Sequence, residues 1–132
     1  MEGIDKTNWT LADEFGVVED LLKLEMLRFG DRLKTNVVMD ASMASRRVPP
    51  LSVLPLVENS LRHGFRAKVG SCSLRVEAVD GNVIVEDNGT GFDANSREGV
   101  GMRTVRERIE AEGGKLLFPE ARSGACVELQ LP

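Results

Sequence analysis

The chain has 132 residues, 42% of them hydrophobic and 29% charged, with a formal net charge of -4. That is enough chain for one self-sufficient core, and the mixture excludes a disordered tail, a fibrous repeat and a basic nucleic-acid arm. One histidine and two cysteines exclude a zinc site built from those residues alone, and no apolar run is long enough to span a bilayer.

Thr10 has N-cap chemistry, with Asp13 three residues on and Glu14 beside it in the first turn. Leu11, Phe15, Val18, Leu22, Met26 and Phe29 then recur at helical spacing up to Gly30. This predicts an amphipathic helix whose stripe packs on the core; a free partner-binding face is the weaker alternative. Leu33 to Met39 reads as a strand and residues 40–48 as a small, polar loop. Pro49-Pro50 introduces a helical pattern from Leu51 to about Phe65. At 100° per residue, Val53, Leu54, Leu56, Val57 and Leu61 share one face. Pro55, Glu58, Asn59, Arg62 and His63 fall on the other. Pro55 is close enough to the start of the helix to be tolerated.

Cys72 to Val79 and Asn82 to Asp87 read as strands joined by the hairpin dipeptide Asp80-Gly81. A third helix is expected from about Gly99 to Glu112, with Met102, Val105 and Ile109 inward and Gly113-Gly114 at its end. Lys115 to Phe118 and Cys126 to Leu131 close the pattern around a turn at Ser123-Gly124. Both cysteines fall in strands and are expected to be buried and reduced. The order of elements predicts an α+β two-layer sandwich: a mixed, mostly antiparallel sheet covered on one face by three helices. Residues 1–9 read as a tail or remnant of an upstream linker, and residues 10–132 as the domain.

Much chemistry is excluded. There is no Gly-x-x-x-x-Gly-Lys-Ser/Thr loop and no dinucleotide fingerprint after the first strand. Nothing in the spacing supports a nucleophilic triad around His63. Two clusters remain. Asn59 is a neutral oxygen donor of the kind Mg²⁺ accepts beside phosphates. Glu58 has the chemistry to orient or deprotonate a partner, and Arg62 to contact a phosphate. A solvated helix face is the other reading of the same residues, of equal weight.

The second cluster is Val85-Glu86-Asp87-Asn88-Gly89-Thr90-Gly91-Phe92. A carboxylate at a strand end before Gly-x-Gly suits an exocyclic amine such as that of adenine; a plain Asp-Asn-Gly turn is the alternative. Gly99-Val100-Gly101 then opens a helix whose free amides suit phosphate.

Taken in order, these segments resemble the Bergerat-fold ATPases, and among them the ATP-binding catalytic domain of LytS-type sensor histidine kinases. Val48-Pro49-Pro50-Leu51-Ser52-Val53-Leu54-Pro55-Leu56-Val57-Glu58-Asn59-Ser60-Leu61-Arg62-His63-Gly64 is similar to that group's asparagine box. Asp87-Asn88-Gly89-Thr90-Gly91-Phe92 resembles its first glycine box. Gly99-Val100-Gly101-Met102-Arg103-Thr104-Val105-Arg106-Glu107-Arg108-Ile109 resembles its second, and residues 24–33 resemble the segment that opens the domain.

The resemblance implies γ-phosphoryl transfer from ATP with Mg²⁺. Asn59 would hold the metal, and Glu58 would be the acid beside the transferred group. Arg62, His63 and Arg103 would stand around the nucleotide. Asp87 would take the adenine amine, with Gly89 and Gly91 shaping the pocket. Residues 93–98 would form a short lid hinged at Gly99 and Gly101. The implied partners are a dimerisation segment carrying the phosphoacceptor histidine, expected upstream and absent from this chain, and a response regulator. The implied place is the cytoplasmic portion of a membrane-bound sensor, with this chain itself not inserted and no nucleic acid bound. A non-catalytic nucleotide-binding module and an anti-sigma-like protein kinase are the alternatives, followed by a plain interaction domain. Two departures stand out. Pro55 replaces the polar residue often found four before the asparagine, and Gly124-Ala125 replaces a Gly-Thr pair.

Overall fold

The structure is a computed structural model that describes residues 8–64, 70–89, 100–119 and 124–132. The first helix, α1, spans Leu11–Phe29. Its start is the expected one. The Asp13 amide donates to Thr10 Oγ1 and the Thr10 amide donates back to Asp13 Oδ2, a reciprocal cap of about 1 kcal/mol. Leu11, Phe15, Val18 and Leu22 are buried. Over the last two turns the stripe shifts towards Leu21 and Glu25, and Met26, at its rim, is left 42% exposed.

The β1 strand (Leu33–Met39), the β2 strand (Cys72–Val79) and the β3 strand (Asn82–Asp87) keep the expected bounds. Asp80 and Gly81 have φ of 53° and 82°, which gives the hairpin turn that matches strand twist. The β4 strand (Lys115–Leu117) and the β5 strand (Cys126–Gln130) complete a five-stranded sheet in the order β1-β2-β3-β5-β4. Only the β1–β2 pair is parallel, with Leu33 opposite Cys72, because the chain crosses over through a helix between them.

That crossover helix, α2, spans Leu54–Asn59 and runs into a π-helical turn, Ser60–Gly64. It begins three residues later than the apolar pattern predicts. Proline lacks an amide proton and its ring clashes with the carbonyl four residues back, so Pro55 belongs in a first turn. Leu51, at that fourth position back, has φ of 61°, outside any right-handed helix. The third helix, α3, spans Val100–Ala111.

Strand alternation puts Leu74, Val76, Val83, Val85, Val127 and Leu129 on the helix side, where they form one core with Phe15, Leu56, Val57, Val105 and Ile109. Burying each such side chain contributes about 1.5–3 kcal/mol. The other face stays open and polar. There Arg75 donates to Glu86 at 2.7 Å and to Glu77 at 3.1 Å, and these bonds, Glu86 first, favour its charged form. The fold is the α+β sandwich expected from the order of elements.

Candidate nucleotide site at the end of β3

Asp87 is the last residue of β3 and only 3% exposed. Its parity with Val83 and Val85 turns its side chain to the helix side. Carboxylates are rarely buried without donors, and two are present. Oδ1 accepts from the Gly89 amide at 2.8 Å and from the Ala125 amide at 3.3 Å. The Asp87 amide in turn donates to the Ala125 carbonyl at 2.9 Å. Among the described residues, Oδ2 accepts no hydrogen bond, so this carboxylate is fixed through one oxygen and keeps acceptor capacity on the other.

Gly124 closes the back of this turn. A Cβ placed there would stand 2.3 Å from the Asp87 carbonyl oxygen and 2.6 Å from the Gly89 nitrogen, and its φ is 72°. Only glycine permits that approach without displacing the Asp87–Gly89 segment. Sequence reasoning marked Gly124 as a turn residue and, with Ala125, as a departure from a Gly-Thr pair, and missed the contact of both with the Asp87 turn. In the fold, Ala125 serves Asp87 through its backbone, which needs no hydroxyl.

Asn88 faces the other way and extends the β2–β3 pairing. Its Oδ1 accepts from the Ser73 amide at 2.7 Å and its Nδ2 donates to the Ser71 carbonyl at 3.3 Å. The Asp87-Asn88-Gly89 segment is therefore tied to both neighbours of β3, to the residue before β5 on one side and to the start of β2 on the other.

The π turn that follows the asparagine-bearing helix packs against β3, the strand that Asp87 ends. Glu58 and Asn59 close α2 and are half-buried; Arg62 is exposed, as is Arg103 on α3. Single π turns recur at functional sites. His63 lies within the π turn and Gly101 within α3. Gly91, Gly99 and the lid segment 93–98 lie outside the described residues. Among the described residues no group of three or more histidine, cysteine or acidic side chains could hold a metal ion.

A concavity of about 330 Å³ is lined by the strand segments Lys34–Asn36, Ser73–Arg75 and Glu86–Asn88. Parity assigns its side chains Lys34, Asn36, Arg75 and Glu86 to the open face, across the sheet from α2. Asp87 lines it by its place in β3, while its parity turns its carboxylate to the helix side.

Neither Cys72 nor Cys126 forms a disulfide, and both are buried. Burial, and secondarily Glu86, pushes the Cys126 thiol above its ordinary value. No helix among the described residues is long and apolar enough to cross a membrane.

Comparison with known proteins shows the family. Residues 51–132 match the model for the histidine kinase-, DNA gyrase B- and HSP90-like ATPase family. The chain is 29% identical over 136 residues to the sensor histidine kinase YesM of Bacillus subtilis, covering 93% of this chain and 24% of that protein. It is 25% identical over 144 residues to the sensor protein LytS of Oceanobacillus iheyensis, covering 92% of this chain and 25% of the relative. The chain thus spans about a quarter of the length of these relatives. A solved histidine kinase domain from the Erythrobacter litoralis EL346 blue-light activated kinase shares the fold, with a TM-score of 0.72 at 22% identity over 100% of this chain and 64% of that one. The family model covers more than half of the chain and includes both α2 and the Asp87 turn, so the chain belongs to the histidine kinase-, DNA gyrase B- and HSP90-like ATPase family.

Proposed function

We propose that residues 10–132 are the ATP-binding catalytic domain of a sensor histidine kinase, with residues 1–9 as a tail or linker remnant. The observation that carries this reading is the buried Asp87 carboxylate, fixed by the Gly89 and Ala125 amides through one oxygen. Such an acceptor suits the exocyclic amine of adenine and is wrong for the carbonyl of guanine. Gly89 would shape the turn around the base, with Gly124 behind it, and Gly91 belongs to the same proposed binding set on sequence alone.

Phosphates would lie towards the end of α2, with Arg62, Arg103 and the start of α3 around them; His63, Gly99 and Gly101 belong to the same proposed set on sequence alone. Asn59 would supply one hard oxygen to Mg²⁺, a metal that accepts phosphate and water oxygens beside such a ligand; among the described residues no histidine, cysteine or acidic cluster offers a competing cage. When bound, Mg²⁺ neutralises charge that develops between the β- and γ-phosphates. Glu58 stands next in sequence, where it would orient or deprotonate the attacking imidazole. In the transfer, the bond from the γ-phosphorus to its bridging oxygen breaks, a phosphorus–nitrogen bond forms, and ADP leaves.

The acceptor would be a histidine on a dimerisation segment, acting in the cytoplasm ahead of a response regulator. The experiment is incubation with labelled ATP and Mg²⁺, with and without an added acceptor segment. The chain alone should form no acid-labile phosphohistidine, and the added segment should become labelled. ATP binding without any transfer would favour a non-catalytic nucleotide module instead.

A further inference from the structure

Glu14 is fully buried and makes no contribution to the chemistry described so far. Its carboxylate takes four donors. Oε2 accepts from the Val53 and Leu54 amides at 2.9 Å each. Oε1 accepts from the Leu51 amide at 2.9 Å and from Trp9 Nε1 at 2.7 Å. Three of these donors are backbone amides at the start of α2, a helix whose own N-cap, Val53, provides no side-chain cap. One belongs to Leu51, a non-glycine residue held at φ of 61°. A residue in that region persists only where its surroundings hold it there. From the other side, Arg108 on α3 donates to the Pro50 carbonyl at 3.0 Å.

We propose that Glu14 is a positioning residue of the nucleotide site. It pins the first turn of α2 to α1, and so fixes where Glu58 and Asn59 stand at the other end of that short helix. The inference rests on the reading of Asn59 as the metal-side ligand. A carboxylate is required because each oxygen faces two N–H groups. A carboxamide presents one oxygen and an NH₂, so one pair of donors would face another donor.

The test is the gain in ATP affinity caused by Mg²⁺, measured as the ratio of Kd in EDTA to Kd in Mg²⁺. In folded Glu14→Gln protein, verified by circular dichroism and thermal melting, the ratio should fall about fivefold or more, a usual size for coupling between sites. The Kd in EDTA, dominated by the Asp87 side, should stay unchanged; a purely structural role would not separate the two. Trp9→Phe removes one donor and no charge, and should lower the ratio in the same direction by a smaller factor. A folded Glu14→Gln with the wild-type ratio would overturn the proposal. If that variant does not fold, an unchanged ratio in Trp9→Phe overturns it instead. A wild-type chain with no Mg²⁺-dependent gain overturns the reading of Asn59 as the metal-side ligand, and this proposal with it.

Discussion

Asp87 and Ala125 are bonded to each other twice. The Asp87 amide donates to the Ala125 carbonyl at 2.9 Å, and the Ala125 amide donates to Asp87 Oδ1 at 3.3 Å. The pairing ties the end of β3 to the residue before β5, so the carboxylate is held by the sheet and not by a loop alone. An acceptor held in place this way loses little freedom when a ligand donates to it.

Gly124 tests that arrangement from behind. Gly124→Ala should destabilise the fold by about 1–3 kcal/mol and weaken ATP binding, because its Cβ would displace the Asp87–Gly89 turn. Gly70→Ala is the control. Gly70 also has positive φ, 101°, but a Cβ there meets nothing within 4 Å. It should cost stability through backbone strain alone and leave ATP affinity unchanged. The two effects are separated by thermal melting and nucleotide titration on the same samples.

Glu58 and Asn59 should divide their roles. Asn59→Ala should weaken Mg²⁺-dependent ATP binding about tenfold or more, since the oxygen donor is removed. Glu58→Gln keeps shape and loses charge and basicity, so it should spare binding and slow phosphotransfer to an added acceptor segment. Equal binding defects in both variants would show the division to be wrong.

Cys126 gives a pH signature. Burial raises its thiol pKa in the folded state, which favours the protonated form. At high pH the unfolded chain therefore loses its proton more readily than the folded one. The stabilisation is whole below the ordinary thiol value near 8.5 and is lost as pH rises through the raised folded value. Thermal midpoints should decline over that range, and Cys126→Ala should flatten this part of the decline. Alkylation of the folded chain at pH 8 should also be slower than in denaturant.

What was legible in the sequence was local. Leu33–Met39, the Asp80-Gly81 hairpin and the Thr10–Asp13 cap depend on alternation, turn chemistry and neighbours three residues apart. The Asp87 turn was legible too, because a carboxylate, an asparagine and two glycines occur together in one short stretch. The start of α2 was not. The apolar pattern runs back to Leu51, while Pro55 and the left-handed Leu51 move the first helical residue to Leu54. Glu14 looked like an ordinary first-turn acid, because its amide partners lie as many as 40 residues further on. Gly124 looked like a turn residue, because its contact with the Asp87–Gly89 segment appears only when β5 folds beside β3.

The most direct test of the central claim is titration of the wild-type chain and Asp87→Ala with ATP and with GTP, both in Mg²⁺. A charge-assisted hydrogen bond to the adenine amine of about 1.5–3 kcal/mol predicts that the wild type prefers ATP. It also predicts that Asp87→Ala, still folded by circular dichroism, binds ATP roughly ten- to a hundredfold more weakly. A folded Asp87→Ala protein with unchanged ATP affinity, or a wild type that binds GTP as well as ATP, would contradict the assignment of Asp87 as the base-reading residue.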